Sequence, residues 1–321
     1  MDKKKGFTLV ELLAVIVILA IIALIATPII LNVINDAKKQ AAKDSAYGYM
    51  DAVEKYIVSS ELEDKSIQDG RYSVEELNKK ISVKGSTPDN GNIEIKEGAV
   101  KNYNLGIDGY YITKDEVKKV STTKKIENGT AVYYNPVLGE KCESNEEGCM
   151  KWYVFNDKEG NASVNVILDH NTTANETWNS TGNNSEMKEV KIALENDTKD
   201  WKNTARLITA NEVAKITGNT DFDASKTGQD WFYLDSNNQT QTASSTNKSK
   251  YAWLFDYTYE CTSYGCNTSD SSNYGYWTST SYKDNSTSAW RVDRNGNLRT
   301  NDVTFTGLGV RPVITISKPN I

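Results

Sequence analysis

Lys3-Lys4-Lys5-Gly6-Phe7-Thr8-Leu9-Val10-Glu11-Leu12-Leu13 opens an apolar run that continues to Leu31. A helix over 7–31 is roughly 37 Å long at a rise of about 1.5 Å per residue, enough to cross about 30 Å of hydrocarbon with some tilt. The lysines ahead of it favour a cytoplasmic N-terminus, so everything after Leu31 is expected on the outer side. An ordinary secretory signal has a shorter apolar core followed by a small-residue cleavage site, and neither is found here. Glu11 interrupts the run, and a carboxylate at membrane depth costs about 2.5 to 3.5 kcal/mol. An ammonium about 4 Å away, in an effective dielectric of about 20, offsets this by about 4 kcal/mol. A cationic partner is one reading of the residue, and a plain signal anchor that tolerates a single Glu is the other.

Beyond Leu31 the pattern changes. Pro28 removes one backbone donor and is expected to kink or loosen the helix near the outer leaflet. Val33, Ala37, Ala41, Ala46, Met50, Val53 and Ile57 then recur at helical steps, with Lys38, Lys39, Lys43 and Asp44 on other faces. This predicts an amphipathic continuation to about Ser59 whose apolar side docks on a sheet. From Gly70 to about Val120, short alternating runs and turn signals such as Pro88-Asp89-Asn90-Gly91 predict a small antiparallel meander. The charged run Lys114 to Glu127 reads as a linker to a second domain.

The stretch Lys5 to Leu13 resembles the class III signal of type IV prepilins. The resemblance implies cleavage between Gly6 and Phe7 by a prepilin peptidase, with the apolar helix retained and Phe7 N-methylated. It also implies that the Phe7 ammonium pairs with Glu11 of a neighbouring subunit, setting the axial stagger of a filament built with other pilin subunits. The order of helix and then meander resembles compact pilins and pseudopilins from Gram-positive bacteria. The expected fold class is α+β, with a leader at 1–6, a transmembrane and assembly helix at 7–59, a pilin meander at 60–120 and a second α+β domain at 121–321.

Composition separates the two ends of the chain. Lys and Arg total 37 against 43 Asp and Glu, a net charge of −6. That leaves no basic excess to attract nucleic acid, and no nucleic-acid partner is expected. Dense aliphatic sequence is confined to 7–31, and the rest is rich in Asn, Ser, Thr and Tyr. Four cysteines form two close pairs, Cys142 with Cys149 and Cys261 with Cys266, at spacings unlike zinc knuckles. Two local disulfides in an oxidising compartment fit them better. Met150–Asn156 and Ser163–Leu168 read as a hairpin in which Trp152 and Val154 oppose Val164 and Val166. Helices are expected near Met187–Leu194 and after Thr209, where Glu212 completes a capping box. The polar tracts Asn171–Ser185 and Ser236–Ser249 read as surface loops.

Trp253, Gly275-Tyr276-Trp277, Ala289-Trp290-Arg291-Val292 and Gly309-Val310-Arg311-Pro312 together resemble the C-type-lectin-like and formylglycine-generating-enzyme-like fold group. An enzyme of that group needs reactive cysteines near the last of these motifs, and 304–319 contains none. No enzymatic activity is expected. The Glu-Pro-Asn, Gln-Pro-Asp and Trp-Asn-Asp tripeptides of calcium-dependent lectins are also missing. Asp293, Asn295 and Asn297 offer oxygen ligands for calcium, but equally make an ordinary hairpin turn. No cofactor is expected. Trp277 and Trp290, with Arg291, Asp293 and Asn295, are candidates for contacting a glycan or extracellular protein; core packing is the alternative for the two indoles. Arg311 reads as structural. His170, the single histidine, has no nucleophile elbow beside it and reads as a surface or strand-end residue. The expected function is that of a type IV pilus subunit, a minor pilin made as a membrane-inserted precursor, with an adhesin-like head at the cell surface. A pseudopilin of a secretion or DNA-uptake machine is the rival, and localisation separates the two.

Overall fold

The structure, a computed structural model, describes residues 9–62, 67, 69–83, 85–120, 124–229, 251–255, 264, 275–293 and 297–320. Helix α1 (Leu9–Leu62) is followed by β1 (Gly70–Ser73), α2 (Val74–Leu77), β2 (Asn90–Lys96), β3 (Ala99–Ile107), β4 (Tyr110–Thr113) and β5 (Val117–Lys119). Then come β6 (Ala131–Asn135), β7 (Glu140–Lys141), β8 (Met150–Phe155), β9 (Ser163–Leu168), β10 (Thr173–Glu176), α3 (Glu189–Asp197), β11 (Arg206–Leu207) and α4 (Ala210–Ile216). The chain ends with α5 (Ala252–Phe255), β12 (Gly275–Ser281), β13 (Ser288–Val292), β14 (Leu298–Asp302), β15 (Leu308–Val310) and β16 (Pro312–Ser317). The fold class is α+β.

Helix α1 runs unbroken through Pro28 for 54 residues. Beside the proline, Thr27 Oγ1 donates to the Ala23 carbonyl at 2.6 Å. Ala42, Ala46, Tyr49, Val53 and Ile57, at steps of four and three, form one buried stripe against Ile93, Ile95, Leu105, Ile107 and Ile112. Each large member contributes about 1.5 to 3 kcal/mol by burial. The expected face was right at Ala46, Met50, Val53 and Ile57, but Val33, Ala37 and Ala41 are exposed. Ala42, not Ala41, is in phase with the stripe, and Val33 lies below the level where the sheet reaches the helix. That level is Asn35, whose carbonyl accepts from Tyr110 Oη at 3.3 Å and whose Oδ1 accepts from Lys119 Nζ at 2.9 Å.

The first sheet is an antiparallel meander in the order β1-β2-β3-β4-β5. The second has the order β11-β16-β9-β8-β6-β7, so the C-terminal strand β16 returns to pair between β11 and β9. The third has the order β10-β15-β12-β13-β14, antiparallel except for the β12–β15 pair. In the β8–β9 hairpin Val154 opposes Val166 as expected, but Trp152 opposes Leu168 rather than Val164. The tract 171–185 is not simply a surface loop. It holds β10 and the buried Trp178, whose Nε1 donates to the Thr278 carbonyl at 3.0 Å.

Polar contacts join the first sheet to the rest of the chain. Arg206, buried, donates from Nε to Asn92 Oδ1 at 2.7 Å, and from Nη1 and Nη2 to the two Glu212 carboxylate oxygens at 2.8 and 2.6 Å. Glu212 also closes the Thr209 capping box that starts α4. Desolvation opposes the Arg206 charge, but Glu212 outweighs it and raises the guanidinium pKa. Arg71 Nη1 donates to Thr198 Oγ1 and the Ala205 carbonyl, and Asn90 and Ser163 exchange two hydrogen bonds. Tyr111, its pKa pushed up to about 12 by burial, accepts from Asn203 Nδ2. The run read as a linker supplies β5, and Ile126 N donates to Asp157 Oδ2 at 2.7 Å.

Truncating Arg206 to Ala leaves the Glu212 charge buried without its partner, and a loss of about 3 to 5 kcal/mol is expected. Denaturant unfolding of the detergent-solubilised chain checks it; a loss below about 1 kcal/mol contradicts the assignment.

Candidate assembly segment and head cleft

The lower half of α1 has no protein cover. Leu12, Leu13, Ile16, Leu19, Leu24 and Ile30 are all exposed, Leu24 at 78 %. The helix is long and apolar enough to cross a membrane by length and composition. Glu11 lies in its first turn, where the positive end of the helix dipole favours a carboxylate. Gly6 and Phe7, the expected processing residues, lie outside the described residues.

Cys142 and Cys149 form a disulfide between the end of β7 and the start of β8. Cys261 and Cys266 lie outside the described residues, as does Asn295. The polar tract Ser236–Ser249 does too.

The expected ligand residues do not form a shared surface. Trp277 and Trp290 are both 0 % exposed. They alternate into opposite packing layers: Trp277 packs with Trp152, Trp178 and Leu308, and Trp290 with Tyr276, Leu298 and Val313. Trp277 Nε1 donates to the Glu176 carbonyl at 2.8 Å, while Phe222 and Tyr282 meet the Trp290 ring edge-on. Stacking of either indole on a ligand is thereby corrected to core packing. Trp277 on β12 and Trp290 on β13 enter opposite faces of a sheet that is covered on both sides, so both are buried. Asp293 is buried and its carboxylate accepts from the Asn297 backbone and side-chain amides at 2.9 to 3.2 Å. This is the hairpin-turn alternative for that segment. Among the described residues no group of three or more His, Cys, Asp or Glu could hold a metal ion.

Arg311 is structural. Fully buried, it donates to the carbonyls of Leu168, Leu254 and Trp253 and lies 5.1 Å over the Tyr276 ring. His170 is at the end of β9 but buried rather than on the surface, with Nδ1 at 2.6 Å from Asp169 Oδ1.

Sequence reasoning missed a cleft of about 670 Å³ between the first sheet and the head. One wall is β1 and α2, and the other is the start of α4, the end of β12 and the loop before α3. Asn184, Ser185, Asn211 and Thr280 give it amide and hydroxyl groups, and Trp178 and Met187 give it an apolar part. Lys79, Lys191 and Lys283 face Asp69, Glu75 and Asp223 around it. No local motif signals it, because its walls come from segments more than one hundred residues apart.

Ser replacing Cys142 opens a loop with a sequence separation of 7. On chain entropy the expected loss is about 2.5 kcal/mol. Non-reducing peptide mapping is expected to recover the Cys142–Cys149 pair, and denaturant unfolding to show the loss.

Residues 1–27 match the family model described as the prokaryotic N-terminal methylation motif. No curated protein and no solved structure matches the chain. The matched motif, with the long apolar helix that follows it, supports a type IV pilin-like prepilin.

Proposed function

We propose that the chain is a subunit of a type IV pilus, a minor pilin whose head is displayed outside the cell and binds an extracellular ligand without transforming it. The observation that carries this reading is the bare apolar half of α1, continuous with the half on which the first sheet packs. Such a surface requires lipid before assembly and apolar neighbours after it. Prepilin peptidase cuts between Gly6 and Phe7, Phe7 is methylated, and its ammonium meets Glu11 of the next subunit.

The head of some two hundred residues exceeds what a compact filament subunit needs and favours a displayed binding unit over a pseudopilin. Its lectin-like reading draws on the aromatic and glycine motifs of the C-terminal third. The cleft beside Trp178 supports a ligand rich in hydroxyl groups, a glycan, since amide and hydroxyl side chains line it next to an apolar patch. The reading includes no cofactor.

Glu11→Ala is expected to insert into the membrane at least as well as wild type, because a costly carboxylate is gone. Its recovery in sheared surface filaments is expected to fall at least about tenfold, the pairing with the neighbour being lost. Blotting both fractions separates insertion from assembly; wild-type incorporation contradicts the pairing.

A further inference from the structure

The first sheet stands along α1 with one end toward the apolar half of the helix. Near the start of β3, Val100 N donates to Glu54 Oε1 at 3.3 Å, and past the β3–β4 turn Tyr110 Oη donates to the Asn35 carbonyl at 3.3 Å. Glu54 and Asn35 are about 28 Å apart along the helix axis. Asn35 is about one turn, some 6 Å, above Leu31, and a headgroup layer adds about 5 to 8 Å to each side of the hydrocarbon. The foot of the sheet therefore lies at headgroup level.

Lysines crowd that foot. Lys38 and Lys39 follow Asn35 on α1, and Lys118 and Lys119 end β5, in register with Tyr111 and Tyr110. All four are exposed. Among the described residues Lys38, Lys39 and Lys118 form no ion pair, and Lys119 Nζ donates to the neutral Asn35 Oδ1 at 2.9 Å. The carboxylates at this level are Asp36, Asp108 in the β3–β4 turn, and Asp89, whose N donates to the Gly106 carbonyl at 2.7 Å. Lys158 acts on Asp89, which leaves the foot basic in a chain of net charge −6. A cavity of about 490 Å³ between α1 and β4–β5 sets Lys39, Lys43 and Lys114 against Asp36, Asp115 and Glu116, so the excess charge is on the exposed rim rather than in the cavity.

We propose that Lys38, Lys39, Lys118 and Lys119 bind the phosphate groups of anionic phospholipids in the leaflet from which α1 emerges. The proposal rests on the reading that the apolar half of α1 spans a membrane. A lysine stem lies along apolar surface while its ammonium reaches the phosphate level. The same anionic surface repels the acidic remainder of the chain, so the contact holds the head foot-down in the precursor until the subunit leaves the lipid for a filament.

Acetylation of the full chain, reconstituted at one copy per nanodisc in phosphatidylcholine or in phosphatidylglycerol, tests it when each lysine is read by mass spectrometry. Lys38, Lys39 and Lys118 are expected to react about fivefold more slowly in phosphatidylglycerol, the effect of one cation held at an anionic surface. High salt is expected to remove the difference. Lys96, exposed at the far end of the first sheet, is expected to react equally in both lipids. Lys38→Gln, Lys39→Gln and Lys118→Gln together are expected to abolish the preference for phosphatidylglycerol among lipids that stay bound when the chain is released from mixed nanodiscs. Lys119 is kept, because it also fixes the sheet on the helix. Equal reactivity of the foot lysines in the two lipids, equal slowing of Lys96, or an unchanged lipid preference in the triple variant would each overturn the proposal and leave the spanning reading intact. Extraction of the chain from vesicles by alkaline carbonate would overturn both.

Discussion

A single helix in two environments constrains the rest of this structure. From Leu9 to about Ile34 the apolar side chains of α1 have no protein over them, and from Ala42 to Ile57 one stripe of the same helix is the core of a folded unit. Nothing interrupts the helix between these halves. The head is therefore held by side-chain packing on the rod that enters the lipid. Tyr110 and Lys119 fix the lower edge of that packing at Asn35, about one turn above the end of the apolar run.

The large second part of the chain does not hang from the small sheet by a tether. The Arg206–Glu212 ion pair, with Asn92 from the first sheet as a third member, is buried and closely hydrogen-bonded. Buried ion pairs often contribute little net stability over apolar replacements, yet removing one partner is costly. This arrangement orients the head relative to the helix. The same junction forms the walls of the cleft, so the geometry of that cleft depends on the joint that fixes the head.

The apolar half of the helix was legible because its pattern is local: the methylation motif lies within residues 1–27, and a run of apolar residues needs no tertiary context to be read. The meander, the β8–β9 hairpin and the Thr209–Glu212 cap were legible for the same reason, as period-two alternation and cap spacing are properties of neighbouring residues. Sequence could not tell which face of a strand is covered. Trp277 and Trp290 lie on different strands whose two faces are both packed, so an aromatic pattern that suits a binding loop also suits two core layers. Nor could it show that Glu212, a plain capping residue by spacing, also receives Arg206, or that Arg291 and Arg299 meet across a ladder.

The central claim is that the apolar helix survives processing and becomes the stem of an assembled subunit. Mass spectrometry of the mature N-terminus, on protein taken from the membrane and from sheared surface filaments, tests it most directly. The account predicts a polypeptide that begins at methylated Phe7 and retains the whole run through Leu31 in both fractions. A mature chain that begins beyond Leu31, or one that still carries residues 1–6 in the filament fraction, would contradict it.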